Sequence, residues 1–123
     1  MEDRSRSSCI IVAVLCIVPL QTAHARQMQV MSSYPTAAAE IDGRNAQYSV
    51  RFDGPVDHRA SKLYITQNGQ VIRELHPLLD SAPEVLFSSS PRLPAGSYEL
   101  HWEARSMPDG DFTNGALAFK IRP

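Results

Sequence analysis

The sequence predicts an all-β protein, a sandwich or barrel of about seven short strands. Two observations support this fold class. Apolar and polar residues alternate with a period of two in several short segments, as they do in half-buried strands. Turn-forming residues recur every eight to twelve residues or so, and no segment carries a convincing helical pattern. The chain has 123 residues and no low-complexity tract, so one domain is expected.

The first 25 residues are predicted to be a cleaved signal peptide. Arg4 and Arg6 precede an apolar run over residues 9–20, which is too short to span a bilayer. The Ala-His-Ala sequence of residues 23–25 then matches the small-x-small pattern of a cleavage site. The protein is therefore expected to be exported.

Cleavage is expected after Ala25, which leaves a single β-sandwich domain over residues 26–123. The alternative, cleavage after Ala23, would place Gln21 at the position that requires a small residue. Both cysteines, Cys9 and Cys16, precede either cut, so the mature chain is predicted to lack thiols and disulfides.

The charge balance argues against two classes of partner. The full chain has a formal charge of -1, and the signal peptide carries two charges of each sign, so the mature value is unchanged. Nucleic acid binding requires a basic footprint that this chain lacks. No polybasic stretch indicates attachment to a membrane surface.

The amino-terminal half contains two predicted strands. Residues 28–33 form the first, which ends before Pro35, and residues 46–52 form the second. Between them, residues 36–42 carry three alanines and a glutamate, and we expect a loop or a single helical turn that ends at Gly43.

The centre of the chain predicts a hairpin and one further strand. Residues 62–67 and 70–75 flank Asn68 and Gly69, the pair most typical of a type I′ turn. A short strand follows at residues 84–88, before a run of serines and a proline.

A second hairpin closes the chain. Its first strand alternates up to Arg105 with Trp102 as the largest inward side chain, and its second strand covers residues 116–121. A hairpin cannot bury its apolar face alone, so the rest of the chain is expected to supply an opposing sheet. The residues predicted to point inward are Tyr98, Leu100, Trp102, Ala104, Leu117, Phe119 and Ile121.

Three segments together resemble the CopC family. They are a V-x-x-S-x-P segment after the signal peptide, SVRFDGPVD, and LPAGSYELHWEARSMPDGDFTNGALAFKI. The resemblance implies an immunoglobulin-like, or cupredoxin-like, Greek-key sandwich or barrel. It also implies a periplasmic protein of copper resistance or copper transport.

The resemblance implies a copper(II) site, but only part of its ligand set is present. The family uses the amine and imidazole of an N-terminal histidine with the Asp and His of a Ser-x-Asp-Gly-His loop. Gln27 occupies the first histidine position, Asp109 matches the aspartate, and Asp111 replaces the loop histidine. One extra residue separates Ser106 from Asp109. Asp109 and Asp111 are therefore the metal-site residues that we predict, with weak affinity, because copper(II) prefers several nitrogen ligands.

Other interpretations of these aspartates remain open. The DGDFTNG sequence resembles the start of a calcium loop, but Asn114 stands where glycine is needed and Lys120 where the bidentate glutamate is needed. A solvated turn is the simplest alternative, since aspartate accepts backbone hydrogen bonds there.

Three histidines remain after the predicted cut. His101 shares a strand face with Glu99 and Glu103, which could form a metal site if a neighbouring strand added a ligand. His58 and His76 lie beside turns and could be ordinary surface residues.

The resemblance favours a periplasmic copper-binding protein of copper resistance or copper homeostasis. Its predicted partners are a copper ion and an inner-membrane copper-transport protein, and the chain is expected to be monomeric. The alternative is a CopC-like sandwich that has lost the metal site and acts as a non-catalytic protein-interaction module. No G-x-S-x-G, H-E-x-x-H or P-loop motif indicates an enzyme.

Overall fold

The computed structural model describes residues 28–45, 47–89 and 92–123. The predicted signal peptide, its cleavage site and Gln27 lie outside these residues. Within the described part of the chain, no helix has the length and apolar character needed to cross a membrane.

The strands form two sheets that pack face to face. One sheet has three strands in the order β1-β3-β6, and the other has five in the order β2-β8-β7-β4-β5. The fold is therefore the predicted sandwich and not a closed barrel. The strands are β1 (Val30–Tyr34), β2 (Ala39–Asp42), β3 (Gln47–Phe52), β4 (Lys62–Gln67), β5 (Gln70–Leu75), β6 (Val85–Ser89), β7 (Gly96–Arg105) and β8 (Phe112–Arg122).

Both predicted hairpins are present in the five-stranded sheet. β4 and β5 pair antiparallel across Asn68 and Gly69, which have φ values of 52° and 79°, the positive values that a type I′ turn requires. β7 and β8 pair along their full length, from Gly96 opposite Ile121 to Arg105 opposite Phe112. β8 thus begins four residues before the predicted 116–121, and the loop between these strands is correspondingly short.

The predicted loop or turn is present at residues 36–38, but the prediction is wrong for residues 39–42. Ala39–Asp42 is a strand that runs parallel to β8, with Ala39 opposite Phe119. The pairing begins at Ala38, whose amide donates to the carbonyl of Ala118 at 2.7 Å. Its sequence, AEID, alternates apolar and polar residues, with Ile41 buried and Ala39 partly buried, but the alternation covers only four residues.

Apolar side chains from both sheets fill the space between them. Trp102 is 7% exposed, as predicted, and it packs across β7 and β8 against Gly115. A Cβ atom on Gly115 would overlap the indole ring, so the ring fits only because residue 115 has no side chain. Of the residues predicted to point inward, six are buried and Leu117 is partly buried.

Candidate metal site

The loop between β7 and β8 carries the two predicted carboxylates. The Ser106 amide donates to the Asp111 carbonyl at 2.8 Å, and the Gly110 amide donates to the Ser106 carbonyl at 2.8 Å. Gly110 has a φ of 80°, a value that favours glycine. These bonds close the loop on itself, and Asp109 and Asp111 are both exposed on it. The structure therefore places the two carboxylates in a single tight turn.

The amino-terminal segment reaches the same end of the sandwich. The Gln29 amide donates to Asp53 Oδ1 at 3.0 Å, and the Asp53 amide donates to the Gln29 carbonyl at 3.0 Å. Two residues further along, the Pro55 carbonyl accepts from the Met107 amide at 3.0 Å. The segment after β3 thus connects the start of the described chain to the carboxylate loop.

A cation lies against this loop. The Arg105 guanidinium lies 5.3 Å from the centre of the Phe112 ring. A Cβ atom on Gly110 would lie 3.2 Å from Arg105 Nη2, so the guanidinium covers the residue between Asp109 and Asp111. A fixed positive charge at this position offsets the carboxylates and opposes a bound metal cation.

The donor set of the described residues does not fit copper(II). Copper(II) prefers nitrogen ligands in a tetragonal arrangement, whereas Asp109 and Asp111 supply only carboxylate oxygens. Across residues 28–45, 47–89 and 92–123, no three His, Cys, Asp or Glu side chains lie close enough together to hold a metal ion. The two carboxylates of this loop therefore do not by themselves form a copper(II) site.

His101 belongs to a polar group on the outer face of the five-stranded sheet. Its Nε2 atom lies 3.0 Å from Thr66 Oγ1 and 3.1 Å from Glu99 Oε1. Its ring stacks on Tyr64, with the ring centres 4.9 Å apart. The structure brings Glu99 to His101 as the sequence suggested, but Glu103 does not join them, and β4 supplies a hydroxyl and a ring instead of a further metal ligand.

His58 has a structural role that the sequence did not indicate. Its Nε2 atom lies 3.1 Å from the Ala82 carbonyl and 2.8 Å from the Val85 carbonyl. Because a carbonyl oxygen only accepts, Nε2 carries the proton and donates to them. His58 therefore ties the turn before β4 to the segment before β6. This contact joins residues 24 and 27 positions apart, a separation that no local sequence pattern reveals.

An open cleft of about 730 Å³ lies beside the edge strand β5. Its walls include His76 and the exposed side chains of Val71 and Leu79. His58 also lines it, so two of the three histidines, His58 and His76, border this cleft, whereas His101 does not.

These features define a small two-sheet β-sandwich with a carboxylate loop beside its amino-terminal strand. The CopC domain family matches residues 30–122, which is most of the chain. The protein therefore belongs to the CopC family. No curated protein sequence matches it.

Three solved structures share the fold. CopC from Methylosinus trichosporium OB3b is 24% identical, with a TM-score of 0.69 over 79% of this chain and 95% of that one. PcoC from Escherichia coli, described as a methionine rich copper resistance protein, is 19% identical, with a TM-score of 0.63 over 79% of this chain and 100% of that one. Its selenomethionine form is 20% identical, with a TM-score of 0.58 over 76% and 99% of the two chains.

Proposed function

We propose that this protein is an exported, periplasmic copper-binding protein of the CopC type that acts in copper homeostasis or resistance, and that it is not an enzyme. The observation that carries the proposal is the CopC match over residues 30–122. The structural likeness to PcoC, which is named as a copper resistance protein, agrees with it. Copper is the cargo in this proposal, and an inner-membrane transport protein is the partner that would exchange it.

The hydrogen bonds around the carboxylate loop support a site that includes the mature amino terminus. Gln29 and Met107 are both hydrogen-bonded to residues 53–55, so the start of the described chain and the carboxylate loop share one end of the sandwich. A terminal amine there would add a nitrogen donor to the Asp109 carboxylate, and Asp111 would add a second oxygen. Such a set has no imidazole, and Arg105 opposes the bound cation. We therefore propose that copper(II) binds weakly.

Restoring the missing imidazoles tests the site. Asp111→His alone is expected to change the copper(II) affinity only modestly, because a tetragonal site needs several nitrogens at once. Deleting Arg26 and adding Gln27→His in the same chain is expected to tighten binding strongly. Copper(II) titration followed by electron paramagnetic resonance would measure both the affinity and the number of bound nitrogens.

As a control, intact-mass measurement must establish the amino terminus of the unmodified exported protein, which is expected to be Arg26. A chain that began at His24 would present an amine and an imidazole to copper without any substitution. Tight copper(II) binding with nitrogen couplings in a protein that begins at Arg26 would contradict the proposal. The ligands would then have to include His58, His76 or His101.

The alternative function is a non-catalytic interaction module of the same family that has lost its metal site. The cleft beside β5 favours it, because Val71 and Leu79 remain exposed there at 54% and 58%. The two functions differ in the titration. An interaction module would show no saturable copper(II) binding that depends on Asp109.

A further inference from the structure

Three arginines meet at the end of the sandwich opposite the carboxylate loop. Arg44 lies in a 3-10 turn at Gly43–Asn45, Arg92 precedes β7, and Arg122 ends β8. They line a cleft of about 550 Å³. The three positions are far apart in sequence, so their meeting is a property of the fold.

A close contact between buried residues holds the three segments together. A Cβ atom on Gly43 would lie 2.8 Å from Ile121 Cγ2 and 3.0 Å from the Leu93 carbonyl oxygen. Leu93 and Ile121 are both 4% exposed. Each of these three contact residues is the sequence neighbour of one arginine, so the packing at Gly43 fixes the spacing of the three arginine backbones. The fold therefore sets the separation of the three backbones, while the arginine side chains themselves are exposed.

The charges in the cleft are not balanced. Its ionisable groups are three arginines, Asp42 and the terminal carboxylate of Pro123, so the positive charges exceed the negative ones by one. Asp42 Oδ2 lies 3.2 Å from Arg44 Nη2, and the hydrogen bonds from the Arg44 amide and guanidinium lower the pKa of Asp42. Among the described residues, neither Arg92 nor Arg122 forms an ion pair or a side-chain hydrogen bond, although Arg122 attracts Asp42 from a distance. Two guanidinium groups thus remain available.

We propose that this cleft binds a phosphate group through Arg92 and Arg122, with Arg44 and its partner Asp42 as one wall. Guanidinium groups donate in a planar fork that matches phosphate oxygens. A planar carboxylate can accept both hydrogen bonds of one guanidinium group. A tetrahedral phosphate can accept hydrogen bonds from two guanidinium groups in different directions, and it carries up to two negative charges. Two unpaired arginines on different segments match the phosphate.

The site is independent of the proposed copper function. β7 separates the cleft from the carboxylate loop, and its 10 residues span roughly 30 Å as an extended strand. The phosphate could belong to a soluble compound or to a lipid headgroup, and the experiment distinguishes these two sources.

The test is a titration of the chain ending at Pro123 with inorganic phosphate, followed by amide chemical shifts. We expect saturable shifts centred on Gly43, Leu93 and Ile121. The double variant Arg92→Gln/Arg122→Gln should weaken binding by about tenfold or more, given the strength of hydrogen bonds to charged groups. Acetate should produce smaller shifts than phosphate at the same residues.

A matched control is Arg51→Gln/Arg59→Gln, which removes the same charge from exposed positions outside the cleft. It should leave phosphate binding unchanged. Equal weakening in both double variants, or shifts spread over the whole surface, would overturn the proposal, because a diffuse charge effect would then explain the binding.

Vesicles identify the source of the phosphate. If the native protein sediments with phosphatidylglycerol vesicles and the Arg92→Gln/Arg122→Gln variant does not, a lipid headgroup is the source. Phosphate binding at the cleft without vesicle binding would support a soluble phosphate compound. If neither ligand bound at the cleft, the proposal would be wrong.

Discussion

At the scale of single residues, the pair of Trp102 and Gly115 shows how one absent side chain admits the largest ring of the core. The two residues are opposite each other on β7 and β8, and an ideal Cβ on Gly115 would lie 2.8 Å from Trp102 Nε1 and closer still to other ring atoms. Packed interiors do not absorb such an overlap without shifts in backbone or rotamer. Glycine at 115 is therefore a packing requirement.

Replacing Gly115 with alanine is expected to destabilise the protein by about 1–3 kcal/mol, the usual range for overpacking. In a Trp102→Leu background the same replacement should cost much less, because the ring that it would meet is gone. Urea denaturation of the four proteins measures the coupling free energy.

The control for this cycle is Gly54→Ala, because a Cβ on Gly54 meets nothing within 4 Å. We expect it to change the free energy of unfolding by no more than about 0.5 kcal/mol. An equal loss for Gly115→Ala with and without the indole ring would contradict the assigned contact.

Tyr48 is a second residue whose environment has a measurable consequence. Its side chain is fully buried, and its hydroxyl has no hydrogen-bond partner in the described structure. Burial is the main cause that raises the pKa of Tyr48 to about 12. Between the ordinary tyrosine pKa near 10 and this value, the unfolded chain releases the proton and the folded chain retains it, so folding stability falls as the pH rises.

We therefore expect the free energy of unfolding of the native protein to decrease as the pH rises above 10. The decrease should be steeper than in Tyr48→Phe by on the order of 1 kcal/mol per pH unit. Denaturation at pH 8, 10 and 11 measures this difference. At pH 8 the phenylalanine variant should be at least as stable as the native protein, because an unpaired buried hydroxyl is unfavourable. Identical pH profiles for the two proteins would show that Tyr48 ionises normally.

At the scale of the secondary-structure elements, β2 depends on an unusual backbone conformation. Ala38 has a φ of 63° immediately before the strand, and its amide makes the first hydrogen bond to β8. This left-handed conformation is unfavourable for residues with a Cβ atom and is easily adopted by glycine.

Ala38→Gly is expected to stabilise the protein by up to about 1 kcal/mol, because relief of the backbone strain exceeds the added entropy of the unfolded chain. Ala37→Gly is the matched control. Residue 37 is also exposed and lies in the same turn, but its φ is not positive, so glycine there should destabilise slightly. Thermal unfolding would compare them. Equal destabilisation by both variants would contradict the role of the Ala38 backbone.

The elements that could be predicted from the sequence are those with local causes. The hairpin at Asn68 follows from two adjacent residues, and the inward face of β7 follows from its alternation. β2 alternates over only four residues and has no adjacent turn, because it is held by a parallel pairing with a strand about 80 residues away along the chain. The same reason explains the site. Asp109 and Asp111 share one loop, so their proximity could be predicted and their role in metal binding stays a prediction, whereas the contacts of His58 and the meeting of the three arginines depend on the complete fold.

At the scale of the whole molecule, the near-neutral net charge conceals an uneven distribution. The exposed carboxylates of Asp109 and Asp111 lie at one end of the β7–β8 hairpin, and Arg44, Arg92 and Arg122 lie at the other. A charge balance taken from composition, which argued against anionic partners, does not apply separately to each end. The two proposed sites can consequently be tested and rejected one at a time.

The position of β8 between β2 and β7 also determines how the molecule bears mechanical load. Near its carboxyl end, β8 is bonded on one side to Ala39–Asp42 and on the other to the start of β7. Tension applied through Pro123 along the strand direction acts across both rows of hydrogen bonds, which lie nearly perpendicular to the pull. The bonds are then loaded in shear and must break together, so a pull at this end is resisted by the pairings with both β2 and β7 and does not peel away a single strand.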